Sequence, residues 1–276
     1  MGMKAYLCPP QKIQVSEVEQ QKIKVGAVSY LNTKPLLYGM DKLPVKDWIE
    51  LSTDYPSAVA GRLLEGTIDI GLVPVAVIPE MPEYYIDADF CIGATGPVAS
   101  VCLFSQVPVA QIETVVLDYQ SRTSVMLVQL LLRHFWKHKV KFVQALPGFE
   151  QQIGGNTAAV VIGDRALEMR KEFLYVYDLA EAWKKFTGFP FVFAAWIANK
   201  PLPKDFIKAF NEANQYGLDR LDDVIAQQPT PAYDLKNYYT QNISYVLDDE
   251  KRAGLQLFLK YVKELREANK YELVAE

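Results

Sequence analysis

Ile23-Lys24-Val25-Gly26-Ala27-Val28-Ser29-Tyr30-Leu31-Asn32-Thr33-Lys34-Pro35-Leu36 begins as an apolar strand and breaks, within a few residues, into hydroxyl, amide and helix. Apolar side chains alternate into a buried strand over 23–30. Pro35 then falls in the first turn of a helix over 33–40, where its missing N–H has no intrahelical partner to lose. The same strand-then-helix grammar repeats downstream. Pro56 starts a second helix that Gly66 closes, with Val59, Leu63 and Leu64 on its inner face. Residues 68–75 are apolar almost throughout and read as a buried strand. A second unit follows: a short β-branched strand over 114–117 that ends at Asp118, a helix over 125–136, strands at 142–145, 158–162 and 175–179, and helices at 165–171 and 180–186. The run 191–198 is a central strand by composition. Helices dominate from 203 onward, with a turn at 229–231. Alternation of this kind specifies an α/β fold.

Two apolar crossover segments, 98–104 and 191–198, bracket the second unit. The expected architecture is two-lobed, with mixed sheets flanked by helices. A first, discontinuous lobe takes residues 23–103 plus 197–276, a second lobe of 104–196 is inserted between the crossovers, and 1–22 form a polar leader. Ligands of such folds bind at the carboxyl ends of the strands, here in a cleft with the crossovers as hinge.

Composition narrows the possible functions. Of the 276 residues, 50% are hydrophobic and 22% charged, with a formal net charge of −4. That is a globular profile, without the basic surface that nucleic acid or an anionic membrane requires. Cys8, Cys91 and Cys102 are far apart and form no C-x-x-C pair, which fits a reducing compartment better than a disulfide framework or a thiolate zinc site. No apolar run approaches the ~20 residues of a membrane span. Residues 1–22 contain no secretory apolar core, and Tyr6 stands where a myristoylation signal wants Ser or Thr. A cytoplasmic protein is expected.

The sequence has no nucleophile elbow, Walker A loop, dinucleotide fingerprint or H-E-x-x-H. Its two histidines, His134 and His138, sit near a helix end, where a structural role suits the helix dipole, so no metal site is expected. Candidate contacts therefore come from polar loops at strand ends. Ser29, Asn32 and Thr33 follow the first strand; the alternative for Asn32 or Thr33 is helix capping. Ser121, Arg122, Thr123 and Ser124 precede a helix whose free N–H groups, with the hydroxyls, suit a carboxylate. Arg122 could add a bidentate contact or point to solvent, and Ser121 or Thr123 could simply cap. Ser100 lies where the first crossover passes the cleft. Asp164, after Gly163, is a ligand contact or an N-cap. Trp183, Trp196 and the Phe191 and Phe193 rings read as core and hinge packing.

Taken in order, these segments resemble the chorismate dehydratase family of the futalosine route to menaquinone. The matching pieces are Val28-Ser29-Tyr30-Leu31-Asn32-Thr33 with Pro35-Leu36, Gly66 with Ile68-Asp69-Ile70-Gly71-Leu72, and Gly96-Pro97-Val98. Further on come Leu117-Asp118 with Ser121-Arg122-Thr123-Ser124, Ile162-Gly163-Asp164 with Ala166-Leu167, and Thr187-Gly188 with Pro190-Phe191-Val192-Phe193-Ala194. The Ser-Tyr-Leu-Asn-Thr and Ser-Arg-Thr-Ser pieces are the specific ones. The resemblance implies a type II periplasmic-binding-protein-like fold turned intracellular lyase, converting chorismate to 3-[(1-carboxyvinyl)oxy]benzoate by loss of water, with no metal or organic cofactor. It also implies two carboxylate sites, one of them at Ser121 to Ser124. Asn32 is the expected catalytic residue, donating to the departing hydroxyl, and the substrate's own enolpyruvyl carboxylate is the expected base. A solute receptor on the same fold and the related dihydroxynaphthoate synthase are the competing readings. Oligomeric state is left open.

Overall fold

The computed structural model describes residues 22–228 and 233–274. The polar leader up to residue 21, Cys8 and the turn at 229–231 lie outside them. Eleven strands and nine helices among the described residues succeed one another along the chain. The strands are β1 Ile23–Val28, β2 Ile49–Asp54, β3 Ile70–Pro74, β4 Phe90–Ala94, β5 Val101–Ser105, β6 Thr114–Leu117, β7 Lys141–Gln144, β8 Thr157–Ile162, β9 Tyr175–Asp178, β10 Phe191–Ala198 and β11 Ser244–Val246. The helices are α1 Lys34–Leu37, α2 Pro56–Leu64, α3 Thr123–Leu130, α4 Asp164–Met169, α5 Leu179–Thr187, α6 Lys204–Leu218, α7 Leu221–Ala226, α8 Leu235–Asn237 and α9 Asp249–Val274.

They build two mixed sheets. The first is six-stranded in the order β11-β4-β10-β3-β1-β2, the second five-stranded in the order β7-β6-β8-β5-β9. In the first, β1 runs parallel to β2 and β3, while β10 lies antiparallel between β3 and β4. In the second, β6 is parallel to β7 and β8, and β5 is antiparallel to β8 and β9. The expected divisions at 103/104 and 196/197 fall inside strands: β5 pairs wholly within the second sheet and β10 wholly within the first. The chain changes sheet over 95–100 and again between β9 and β10. Apolar composition marked the neighbourhood of each crossing, but burial makes the linker and the strand beside it look alike.

Local detail also departs from the sequence reading. The first helix is only a 3-10 turn, Leu31–Thr33, running into the four residues of α1. The helix expected over 125–136 begins at Thr123 and ends in a π-helical turn, Leu131–Phe135. Strands β2, β4 and β11 were not anticipated. β2 is an edge strand and mostly exposed, β11 has three residues, and β4 is a short buried stretch without alternation.

One core cluster spans both sheets, anchored by Trp183, Trp196 and Phe210, all fully buried; a smaller one around Phe104, Phe149 and Val161 lies against the second sheet. The Trp196 indole N–H donates to Asn214 Oδ1 at 3.0 Å, so its polar edge is not stranded. Two glycines set how closely α1 and α6 approach. A Cβ on Gly217 would lie 1.9 Å from the Pro35 carbonyl oxygen, and one on Gly39 would lie 2.2 Å from that of Ala213. Backbone sits against backbone there, which fixes α1 and so the loop before it. Gly217→Ala is expected to cost about 1–3 kcal/mol through overpacking, read as a fall of several degrees in the calorimetric melting temperature.

Candidate functional site

The carboxyl ends of β1 and β3 in the first lobe face those of β6 and β8 in the second. Between them is a cleft whose empty space, about 520 Å³, is partly open to solvent. Tyr30, Asn32 and Thr33, which follow β1, line one side; Ser121, Thr123 and Ser124, around the start of α3, line the other. Ser100 enters from the first crossover, and Gly163 from the end of β8. Val28, Ile92, Val101, Ile162 and Phe193 supply apolar wall.

The hydrogen bonds separate ligand-facing groups from caps. Neither Asn32 nor Thr33 makes a side-chain cap bond, so capping does not account for them. The Thr33 hydroxyl donates to Asn32 Oδ1 at 3.1 Å, and the Tyr245 hydroxyl holds the Asn32 carbonyl at 2.9 Å. Ser121 Oγ does cap, accepting from Ser124 N at 3.0 Å, yet it also lines the cavity. Thr123 Oγ1 accepts from Ala76 N at 3.2 Å, a bond from lobe to lobe that leaves its proton free to donate.

Three expected contacts lie elsewhere. Ser29 is exposed and outside the cavity lining, its N–H donating to the Asp54 carbonyl at 3.2 Å. Arg122 turns away to pair with Glu80 at 2.8 Å, because Glu80 offers it a charge partner at the surface while the cavity would strip its water. Asp164 is absent from the lining; its Oδ1 accepts Leu31 N at 3.1 Å and ties α4 of the second lobe to the loop after β1. It caps nothing in its own helix. Burial pushes its carboxyl above the usual range.

Other residues hold the lobes together, and sequence reasoning passed over them. The Tyr30 hydroxyl donates to Gln120 Oε1. Arg165 Nη2 donates to that same oxygen at 3.2 Å and to Asp118 Oδ2 at 2.6 Å, while Nη1 reaches Glu150 at 2.5 Å. Ser57 adds two bonds of 3.2 Å, from its N–H to the Gln120 carbonyl and from its hydroxyl to that of Tyr119. Gly163, at φ 68°, lets the Tyr30 ring pass where a Cβ would come within 3.0 Å of it.

The electrostatic character of the cavity follows from its lining: Tyr30 is the one ionisable side chain among the described residues that form it. Burial, reinforced by the Asp118 carboxylate, drives the Tyr30 phenol well above its ordinary value, so it stays protonated. What the cavity presents is neutral hydrogen-bond donors. Among the described residues no three His, Cys, Asp or Glu side chains gather as a metal cluster would.

Ser100 follows an unusual piece of backbone. Ser100 N donates to the Val98 carbonyl at 2.8 Å, a γ-turn centred on Ala99 at φ 64°, a conformation that costs a non-glycine residue strain. Asp178 overrides that cost. Its carboxylate accepts from Val98 N at 3.1 Å and Ala99 N at 2.7 Å while capping α5 through Ala180 N and Glu181 N. Arg170 grips the Ala99 carbonyl at 2.8 Å. Burial raises the Asp178 carboxyl's pKa, with those N–H donors opposing.

A hinged cleft between two mixed sheets is the architecture of the periplasmic-binding-protein fold. A Candida albicans gene product described as having that fold, CA3427, superposes with a TM-score of 0.61 at 13% identity, covering 88% of this chain and 90% of its own. Protein AF1704 of Archaeoglobus fulgidus gives a TM-score of 0.68 at 13% identity, over 91% of this chain and 98% of its own. The chain belongs to the menaquinone biosynthesis family, whose model matches residues 23–264. A chorismate dehydratase of Thermus thermophilus is 29% identical to it, across 74% of this chain and 83% of that relative. Among the described residues no helix is long and apolar enough to cross a membrane.

Asp178→Ala strands buried donors and removes a helix cap. A loss of about 3 kcal/mol is expected, measurable as a shift of the urea unfolding midpoint.

Proposed function

We propose that this chain is a cytoplasmic chorismate dehydratase that eliminates water from chorismate to give 3-[(1-carboxyvinyl)oxy]benzoate. The observation that carries this reading is a cavity between the lobes that offers neutral donors from both and has no side chain able to accept a proton at neutral pH. An elimination run there must draw its base from the substrate. Chorismate carries one: the enolpyruvyl carboxylate can reach the proton on the ether-bearing ring carbon through a six-membered arrangement. That C–H bond breaks, its electron pair forms a ring double bond, and the hydroxyl on the adjacent carbon departs and leaves as water with the transferred proton. The ring becomes aromatic, which supplies the thermodynamic drive.

The protein's part is placement and electrostatics. Asn32 donates its amide N–H to the leaving oxygen and orients the ring. Ser121, Thr123 and Ser124, at the start of α3, take a carboxylate. Ser100 donates from the crossover. Closure removes water, so the carboxylate acting as base is less solvated and more basic. The family membership and the dehydratase relative support the same reading.

Incubating the purified protein with chorismate should consume it and release an aromatic enol ether, 18 Da lighter by loss of one water, detectable by liquid chromatography with mass detection; unchanged chorismate refutes the proposal. Asn32→Ala should keep the melting temperature and lose on the order of 10²–10³ in kcat. Ser121→Ala and Thr123→Ala should chiefly raise KM, and unchanged KM values would reduce both hydroxyls to capping and lobe contacts.

A further inference from the structure

Ser100 is fixed from two independent directions. Its backbone is set by the γ-turn that Asp178 and Arg170 hold, and its own carbonyl accepts Gly163 N at 2.8 Å. What remains free is the hydroxyl. That is met by Tyr238, a fully buried residue of the π-helical turn after α8, whose phenol oxygen lies 2.7 Å from Ser100 Oγ. Asn242, on the same turn, donates to the Pro97 carbonyl at 2.9 Å and locks the turn against the crossover. Tyr238 does not line the cavity, so it acts only through its neighbours.

The donor and acceptor inventory gives the chain a direction. A phenol hydroxyl has one proton to give, and a seryl hydroxyl can accept one and donate its own. The phenol proton then goes to Ser100 Oγ, and the seryl proton has the cavity as its outlet. Chains of this kind polarise each successive donor. We propose that Tyr238 is a positioning residue: it fixes the Ser100 hydroxyl as a donor aimed at the ligand. The kinetic consequence rests on the chorismate reading above; the conformational one does not.

Tyr238→Phe keeps the ring and deletes only the hydroxyl. Crystal structures of the unaltered protein and of Tyr238→Phe should show Ser100 Oγ in one position in the first and spread over rotamers in the second. A single unchanged position in both overturns the proposal. With chorismate, Tyr238→Phe should lower kcat about five- to tenfold when Ser100 is present, the scale of one neutral hydrogen bond, and less than twofold in the Ser100→Ala background. Equal losses in the two backgrounds would mark a merely structural role and also overturn it. If the unaltered protein leaves chorismate intact, the proposed reaction fails, and the rotamer comparison still decides the role of Tyr238.

Discussion

The buried Asp118 carboxylate at the end of β6 organises the mouth of the second lobe. It accepts Gln120 N at 3.0 Å, Ile162 N at 3.3 Å and the Arg165 guanidinium at 2.6 Å, so one side chain binds the loop after β6 to the end of β8 and to α4. Burial pushes the carboxyl's pKa upward, and Arg165 and the two N–H groups work against that. A buried charge so fully partnered is costly to disturb from either side. Gln120, placed in this way, is what Tyr30 meets from the opposite lobe. The cavity exists in its closed shape because that meeting point is rigid.

Keeping cations out of the cavity has a chemical rationale. A guanidinium beside a carboxylate would hold it ionised and lower its basicity, which would work against the substrate-derived base proposed above. Arg122 was the one cation that the sequence placed beside the cleft, and Glu80 draws it to the surface. Arg266 reaches the same Glu80 at 2.7 Å, so the acid is shared and the arrangement is anchored to α9. Hydroxyls and amides can hold an anion in place without quenching it.

Residues close together in sequence were the legible ones. The break from β1 into Asn32 and Thr33, and the hydroxyls around the start of α3, lie at the cleft as reading the chain expected, because strand ends and helix starts are written locally. The overall α/β architecture followed from the repetition of those units. Groups whose meaning depends on distant partners were not legible. Tyr238 meets Ser100 across 138 residues and Asp178 meets Ala99 across 79, and nothing in the neighbourhood of Tyr238 or Asp178 distinguishes them from any other buried phenol or helix cap. Arg122 and Asp164 illustrate the converse: each stands at the right loop, but which way a side chain turns is decided by Glu80 and by the Leu31 N–H, from other parts of the fold.

The γ-turn at Ala99 bears on where the molecule can bend. Asp178, Arg170 and Gly163 all grip residues 98–100 from the second lobe, so Ser100 would travel with that lobe, whereas Tyr238 belongs to the first. Swinging the halves apart would therefore uncouple the serine from Tyr238, and bringing them together would re-form that bond around whatever had entered. On the proposed reaction, competence would then depend on the same closure that excludes bulk solvent.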